Sequence, residues 1–309
     1  MTASLLVARA GMLTTVQDRG RWGYQGLGVP VAGPMDWYSH ALANRIVGNA
    51  ADSAALEVTL IGPELIVDGE VVCAVSGADF EVTVDGVAVP AHQQFAARSG
   101  SRIRVGTRRV GARATLAVRG GFDLPATFGS RATHLVSGMG PFGGRALRVG
   151  DRLPIAASHS SSEPNAGIPL EMPRGGARVR VVPAAHRERF TDDAWRTLTR
   201  ARFAITPQSN RMGYRLEGPA LSHVRSADIL SEAMPIGAIQ VPPSGQPILL
   251  MADRQTTGGY ATIAAVITAD LPLAGQLAPG DWLEFSACTR EDAIAALRAR
   301  HRSLAATSS

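Results

Sequence analysis

The chain carries the same glycine-containing dipeptides in the same order in each of its two halves. In the first half the order is Gly62-Pro63, Gly120-Gly121 and Gly150-Asp151. In the second half it is Gly218-Pro219, Gly258-Gly259 and Gly280-Asp281. The best match is ALRVGDRLPI beside QLAPGDWLEF. A repeat on this scale predicts a tandem pair of related domains. The alternative is that glycine-rich turns of a β protein coincide by chance.

Turn-forming residues are frequent, with 33 glycines and 19 prolines in 309 residues, which indicates a strand-rich chain. The segment EVTVDGVAV alternates around Asp85-Gly86, a dipeptide typical of a tight hairpin. Further strands are predicted at 101–105, 115–118, 177–182 and 248–252. Few helices are expected: one capped by Asp36 and ending at Gly48, one within 186–200, and one begun by Thr289 with Asp292.

A stretch of small and polar residues, AASHSSSEPNAGIPLEM at 156–172, is interrupted by two prolines and indicates a linker. We therefore predict a mainly β chain with a few short helices, folded as two domains at 1–157 and 173–309 and joined by a linker at 158–172.

The chain contains no lysine, because all 31 of its basic residues are arginine. A biotin carrier needs a lysine to hold biotin covalently, and a P-loop ATPase needs the lysine of its phosphate-binding loop, so both classes are excluded. Schiff-base chemistry and a serine–lysine amidase are excluded for the same reason. Arginine remains well suited to carboxylate and phosphate, which it binds with two parallel hydrogen bonds.

Composition also sets expectations for partners and compartment. The net charge is +5, but the densest arginine cluster, at 102–113, alternates with apolar residues and has no interleaved aromatic residues for base stacking. We expect a solvated strand face there and no nucleic-acid partner, although an acidic partner or ligand stays open. No apolar run approaches the length of about 18 residues that a membrane span needs. We expect no signal peptide, and Cys73 and Cys288 as buried thiols of a cytoplasmic protein.

Four segments concentrate polar residues among glycines: 15–36, 44–57, 209–215 and 231–260. Each has a structural alternative, such as a long turn, a surface charge cluster or a carboxylate (Glu57) that pairs with an arginine. The last segment combines a predicted buried strand with a polar cluster and a glycine turn at its end, which is a common location for a site. The seven histidines are scattered singly, so no metal site is predicted.

These segments resemble a known family. The resemblance is carried by QDRGRWGYQGLGVPVAGPMD, ALEVTLIGPEL, the GSRAT at 129–133, NRMGYRLEGP, SEAMPIGAIQVP, DRQTTGGY and QLAPGDWLEF. It extends from about residue 5 to residue 287, and the family is that of the biotin-dependent carboxyltransferase subdomains. The family includes the C subunit of 5-oxoprolinase, the KipA-type proteins, allophanate hydrolase subunit 2 and a stretch of urea carboxylase.

The resemblance implies two tandem cyclophilin-like β-barrels. It also implies a hetero-oligomer with a B subunit that is like allophanate hydrolase subunit 1. In 5-oxoprolinase it further implies a LamB/YcsF-like A subunit, which completes an ATP-dependent opening of 5-oxoproline to glutamate. ATP would be used together with those partners, and no covalent biotin would be carried here.

For the site we hypothesise anion binding by Arg211, Arg215 and Arg254, with Arg19, Gln240, Gln255 and Thr256 as further binding residues. Asp253 and Asp18 are candidates for proton transfer or for orienting those arginines. Two other functions stay open: a carboxyltransferase subunit of a urea-carboxylase or allophanate-hydrolase-like system with a biotinylated partner, and a non-catalytic KipA-type regulator of a kinase inhibitor.

Overall fold

The computed structural model describes residues 3–157 and 167–306. Contacts divide the described residues into two compact units: unit 1 comprises 3–21, 32–157, 167–172 and 301–306, and unit 2 comprises 22–31 and 173–300. The predicted domain ranges differ from these units at the short segments 22–31 and 301–306, and residues 167–172, predicted as linker, belong to unit 1. Most of the predicted linker, 158–166, lies outside the described residues.

Unit 1 contains nine strands, β1 to β9, and two short helices, α1 and α2. In chain order they are β1 Ser4–Arg9, β2 Leu13–Gln17, α1 Trp37–Ile46, β3 Ala55–Thr59, β4 Glu64–Asp68, β5 Val71–Val84, β6 Val87–Ala88, β7 Gln94–Ala97, β8 Arg102–Val118, α2 Pro141–Gly144 and β9 Arg152–Pro154.

One long strand organises the sheet of unit 1. β8 spans 17 residues and pairs antiparallel with β3, β4 and β5 along its length. It therefore connects these three strands in one half-barrel sheet. The alternating strand residues on the inner face form one apolar core around Leu56, Ile103 and Leu116, all fully buried. On the outer face, α1 packs against the alanines Ala55, Ala74 and Ala117, whose small side chains allow the helix to approach the sheet closely.

Unit 2 contains the remaining elements, with its barrel strands between β10 and β18. In chain order they are a 3₁₀ turn Gln25–Leu27, β10 Gly176–Pro183, a 3₁₀ turn Arg187–Arg189, α3 Asp192–Leu198, β11 Arg202–Ile205, β12 Gly213–Glu217, β13 Asp228–Ala233, β14 Ala238–Gln240, β15 Ile248–Leu250, β16 Thr257–Tyr260, β17 Thr262–Val266, α4 Leu271–Gly275, β18 Trp282–Ala287 and α5 Arg290–Ala305, whose last residues belong to unit 1.

Seven of these strands close a barrel in the order β10-β17-β14-β15-β12-β11-β18, and β13 and β16 form a separate two-stranded ribbon. Inward-facing residues such as Val179, Ile239 and Ile263 are completely buried, and the rings of Phe203 and Phe285 pack 6.0 Å apart. The prediction of a mainly β chain with two tandem β domains is confirmed, with a closed barrel in unit 2 and a half-barrel in unit 1.

The repeated Gly-Asp dipeptide forms the same backbone turn in both units. Gly150 N–H donates to the Val7 carbonyl and Val7 N–H donates to the Asp151 carbonyl, both at 2.9 Å. In unit 2, Gly280 N–H donates to Ile205 and Ile205 N–H donates to Asp281, at 2.9 and 2.8 Å. The φ angles of Gly150 and Gly280 are 89° and 92°, a conformation that favours glycine. This identity of geometry favours duplication over chance.

The starts of α1 and α5 were predicted correctly from the sequence. The Asp36 carboxylate accepts a hydrogen bond from Ser39 N–H at the start of α1. Thr289 and Asp292 exchange reciprocal side-chain to backbone hydrogen bonds of 3.1 Å at the start of α5. Residues 186–200 were predicted as one helix, but the chain forms a 3₁₀ turn and then α3, because Thr191 caps a new helix there.

Two further expectations concern the cysteines and the membrane. Both cysteines are free; Cys73 is buried as expected, whereas Cys288 is partly exposed, because it follows the end of β18 where the barrel wall stops. Within residues 3–157 and 167–306, no helix combines the length and the apolar character that crossing a membrane would require.

Candidate functional site

Two neighbouring cavities in unit 2 contain most of the predicted site residues. The larger, here called the Arg254 cavity, has a volume of about 420 Å³ and is lined by Trp22, Gln25, Val31, Ala233, Met234, Pro235, Ile236, Arg254, Gln255 and Thr256. The smaller, the Arg215 cavity, has about 250 Å³ and is lined by Gln208, Asn210, Met212, Gly213, Arg215, Gln240, Ile248, Leu250, Gln255 and Tyr260. Gln255 belongs to both walls.

The turn that follows β15 brings the polar cluster of the fourth segment to this place. Strand pairing ends at Leu250, and Arg254 N–H donates to the Met251 carbonyl at 3.2 Å. Thr256 then accepts a hydrogen bond from Met234 N–H at 3.0 Å, which ties the turn to the end of β13. The predicted polar cluster at a strand end is therefore held by backbone hydrogen bonds on both sides.

Arg254 is a buried cation that faces the larger cavity. It is 7% exposed, and its Nε donates to the Met234 carbonyl at 2.9 Å. Burial lowers its pKa to about 10, and among the described residues no carboxylate offsets this effect. A buried guanidinium without a neighbouring anion is costly, because desolvation penalises the charged form. Such a group is well prepared to bind an anionic ligand.

Arg211 and Asp253 form a buried bidentate ion pair. Arg211 Nε and Nη2 donate to the two Asp253 carboxylate oxygens, both at 3.0 Å, and Asp253 N–H donates to the Arg211 carbonyl at 2.8 Å. The two residues are 4% and 2% exposed. Of the two roles considered for Asp253, this geometry favours orientation of an arginine over proton transfer.

The two arginines of the third segment have separate environments. Arg211 lies in the turn before β12 and donates to Asp253, whereas Arg215 lies in β12 on an outward-facing position of the strand and lines the smaller cavity. Both arginines were hypothesised to bind an anion. The turn before Gly213 breaks the strand alternation, so the two side chains take different directions.

Gln240 and Gln255 form an amide pair at the wall that separates the cavities. Gln255 Nε2 donates to Gln240 Oε1 at 3.2 Å. Gln240 is 2% exposed, and its Nε2 donates to Tyr260 O at 3.3 Å. A Cβ at Gly258 would lie 2.6 Å from Gln240 Nε2, so this position must be glycine for the amide to sit where it does.

Asp18 and Arg19 belong to unit 1. Asp18 accepts hydrogen bonds from Gly20 N–H at 2.9 Å, Ser130 Oγ at 2.6 Å and Arg131 N–H at 2.5 Å. This carboxylate therefore joins the first segment to the GSRAT sequence at 129–133. Arg19 forms an exposed ion pair with Asp52 at 3.7 Å. For Asp18 these contacts favour a structural role over proton transfer.

The second segment is also held by structural contacts. Asn49 donates to the Val118 carbonyl at 2.8 Å and accepts from Gly120 N–H at 2.8 Å, which fixes the end of α1 against the end of β8. Glu57 accepts from Met35 N–H at 2.7 Å. In the part of the chain that the structure describes, no three His, Cys, Asp or Glu side chains come together as a metal site.

Many of the cavity-lining residues were not among the predicted site residues, and the three with large side chains discussed here are Trp22, Met234 and Tyr260. Trp22 was within the glycine-rich first segment, where its aromatic ring among polar residues was the available signal. Met234 and Tyr260 were within the fourth segment but looked like ordinary strand residues. A further cavity of about 830 Å³ lies in unit 1, and its lining mixes Glu70 and Asp85 with Arg98 and Arg119.

Comparison with known proteins supplies the family. A family model described as carboxyltransferase domain, subdomain A and B, matches residues 27–287. The chain belongs to this family.

Two relatives match this carboxyltransferase-domain chain over most of their length. The C subunit of 5-oxoprolinase from Escherichia coli (strain K12) is 38% identical over 300 residues, which cover 96% of each chain. The C subunit of 5-oxoprolinase from Haemophilus influenzae is 36% identical over 281 residues, which cover 90% of this chain and 89% of the relative.

A solved structure shows the same fold within a longer protein. The crystal structure of the Kluyveromyces lactis urea carboxylase matches with a TM-score of 0.94 and 32% identity over 98% of this chain. The chain spans 29% of that protein's length. The carboxyltransferase-domain fold thus occurs both as a separate polypeptide and as one part of a larger enzyme.

Proposed function

We propose that this chain is the C subunit of a cytoplasmic, ATP-dependent 5-oxoprolinase, which opens 5-oxoproline to glutamate together with its A and B subunits. The full-length match to two proteins named as C subunits of 5-oxoprolinase carries this proposal, because it covers 96% of both chains in one case. The urea carboxylase is covered over only 29% of its length, so the match to the C subunits favours the 5-oxoprolinase function.

The chemistry of the substrate fits the Arg254 cavity. 5-Oxoproline has one carboxylate on a small, largely apolar ring, and the cavity combines the Arg254 guanidinium with apolar walls from Val31, Met234, Pro235 and Ile236. The guanidinium can bind a carboxylate through two parallel hydrogen bonds. Arg254 therefore binds the carboxylate, and the apolar walls contact the ring.

The absence of lysine excludes a P-loop in this chain, and the proposal is that ATP is used together with the partner subunits. Transfer of the γ-phosphoryl group of ATP to the lactam oxygen leaves ADP and makes the ring carbon a better electrophile for water. Attack by one water molecule breaks the amide C–N bond, and the nitrogen takes up a proton and becomes the amine of γ-glutamyl phosphate. A second water molecule then releases inorganic phosphate and leaves glutamate. In this scheme the chain binds and positions the lactam.

The test is co-expression with the A and B subunits, followed by an assay of 5-oxoproline-dependent ATP hydrolysis. Arg254→Gln is expected to reduce turnover at least 100-fold, while purification shows an intact assembly. Arg196→Gln is the matched control, because Arg196 forms an exposed pair with Asp193 outside both cavities. Normal turnover in Arg254→Gln would remove the assigned site, and a wild-type assembly without 5-oxoproline-dependent ATP hydrolysis would contradict the function.

A second candidate is a carboxyltransferase subunit of a urea-carboxylase-like system, favoured by the TM-score of 0.94 with the Kluyveromyces lactis enzyme. Such a system needs a biotinylated partner, since this chain has no lysine to carry biotin. Urea-dependent ATP hydrolysis with a biotinylated partner, and no response to 5-oxoproline, would favour this candidate.

A further inference from the structure

Each of the two cavities in unit 2 contains one guanidinium group without a carboxylate partner among the described residues. Arg254 is buried in the larger cavity, and its pKa is lowered by burial alone. Arg215 is exposed at the smaller cavity, where its backbone is held in place: its N–H donates to Ser209 Oγ at 3.0 Å, and its carbonyl accepts from Thr206 N–H. Both guanidiniums are therefore available to an anion.

The smaller cavity is built on a cross-strand row that leads from Arg215 to the shared wall. Arg215 pairs with Ile248 on β15, and Ile248 pairs with Gln240 on β14. Two strand spacings separate the first and last residues of this row, or about 10 Å between backbones. The Arg215 side chain is long enough to extend over Ile248 towards the amide of Gln240.

The shared wall continues the row into the larger cavity. Gln240 accepts a hydrogen bond from Gln255, and Gln255 precedes Thr256 and directly follows Arg254, both of which line the larger cavity. Along this surface the guanidinium of Arg215 is therefore followed by the amides of Gln240 and Gln255 and then by the guanidinium of Arg254. Cations at both ends bind acid groups, and the carboxamides form the wall along which the chain between those acid groups would lie.

We propose that the two cavities are the two ends of one binding site for a small dianion, that is, a ligand with two acid groups joined by a short chain, such as an α,ω-dicarboxylate. The inference builds on the Arg254 site of the proposed function and adds a second anion subsite at Arg215. A ligand that engages both ends gains from the second contact without a second loss of translational freedom, so its affinity exceeds that of a monoanion of equal length.

The experiment compares dicarboxylates from glutarate to suberate with the monocarboxylates of equal carbon number, by isothermal titration calorimetry on the full chain. We expect at least one dicarboxylate to bind about tenfold or more tightly than its monocarboxylate, in line with one added charge-assisted hydrogen-bonded contact. Arg215→Gln should remove that advantage and leave monocarboxylate affinity unchanged. Arg196→Gln, with the same change in charge, should alter neither.

The outcomes separate this inference from the proposed function. Equal affinities of dicarboxylate and monocarboxylate in the wild type, or an unchanged dicarboxylate affinity in Arg215→Gln, would overturn the second subsite and leave the Arg254 site standing. Equal weakening of both ligand classes by Arg215→Gln would indicate a general charge effect and would also overturn it. Unchanged monocarboxylate binding in Arg254→Gln would contradict the first site. Unfolding curves of each variant establish that the fold is retained.

Discussion

Asp151 and Asp281 make the same side-chain contact in the two units: each carboxylate accepts a hydrogen bond from the backbone N–H three residues earlier, Arg148 at 2.7 Å and Ala278 at 2.8 Å. Each contact closes the turn that precedes the last strand of its unit, β9 or β18. Asp151 differs in one respect, because it also forms a bidentate pair with Arg145 at 2.7 and 2.8 Å.

The first prediction follows from this equivalence. Asp281→Ala is expected to lower the free energy of unfolding by about 1–2 kcal/mol, because it leaves a turn N–H without its acceptor. Asp151→Ala is expected to lower it more, since Arg145 also loses its partner. Urea denaturation of each variant measures both effects. Unchanged stability in both variants would show that the backbone hydrogen bonds alone hold the turns.

The second prediction concerns the pH dependence of the same contact. The hydrogen bonds from Arg145 hold the pKa of Asp151 below its ordinary value of 3.8. A carboxyl with a depressed pKa in the folded state stabilises the fold above its ordinary pKa, and this contribution is lost as the pH falls through the folded-state value. The stability difference between wild type and Asp151→Ala should therefore be constant near pH 7 and shrink below about pH 4. A difference that grows under acid conditions would contradict it.

The third prediction distinguishes the two roles of Asp253. If Asp253 orients Arg211, Asp253→Asn should lower the free energy of unfolding by about 3 kcal/mol, because a buried guanidinium loses its charged partner. The double replacement Arg211→Met with Asp253→Leu should recover part of this loss. Thermal and urea denaturation provide the measurement. Full stability together with lost turnover in Asp253→Asn would instead support proton transfer.

The fourth prediction uses two adjacent glycines. A Cβ at Gly258 would lie 2.6 Å from Gln240 Nε2 and 2.9 Å from Met234 Cγ, whereas a Cβ at Gly259 finds its nearest atom, the Ile229 carbonyl oxygen, at 3.6 Å. Gly258→Ala should therefore displace the Gln240 amide and weaken dicarboxylate binding at least tenfold, while Gly259→Ala binds the dicarboxylate normally. Calorimetric titration of both variants checks the pair. Equal affinities would show that the amide position does not matter for binding.

The fifth prediction concerns the charge of Arg254. Because burial lowers its pKa to about 10, the group is protonated throughout the neutral range. Monocarboxylate affinity should therefore be constant from pH 6 to 9, because the guanidinium stays charged over this range. Arg254→Gln should retain or raise the melting temperature, since it removes a buried charge without a carboxylate partner. Affinity that falls between pH 6 and 8 would point to another titrating group.

Features that depend on short stretches of chain were predictable. The Asp85-Gly86 hairpin has positive φ at both residues, 51° and 85°, and Val84 pairs with Val87 as the alternation indicated. The start of α5 follows directly from Thr289 and Asp292. Each of these signals acts through neighbours a few residues apart, so tertiary contacts had little to change.

Contacts between distant segments were not predictable in the same way. Asp18 and Ser130 are 112 residues apart, and neither residue contains a signal for the other. The division of Arg211 and Arg215 between an ion pair and a cavity depends on a turn whose direction is fixed by pairing with β15.

The sequence by itself determined that this chain is a mainly β protein built on a repeated turn, and the absence of lysine determined which chemistries it lacks. The tertiary structure decided which arginines keep a carboxylate partner and which face a cavity. The physical reason is that the residue type alone gives a side chain its charge, whereas its desolvation and its neighbours depend on which strands lie beside it after folding.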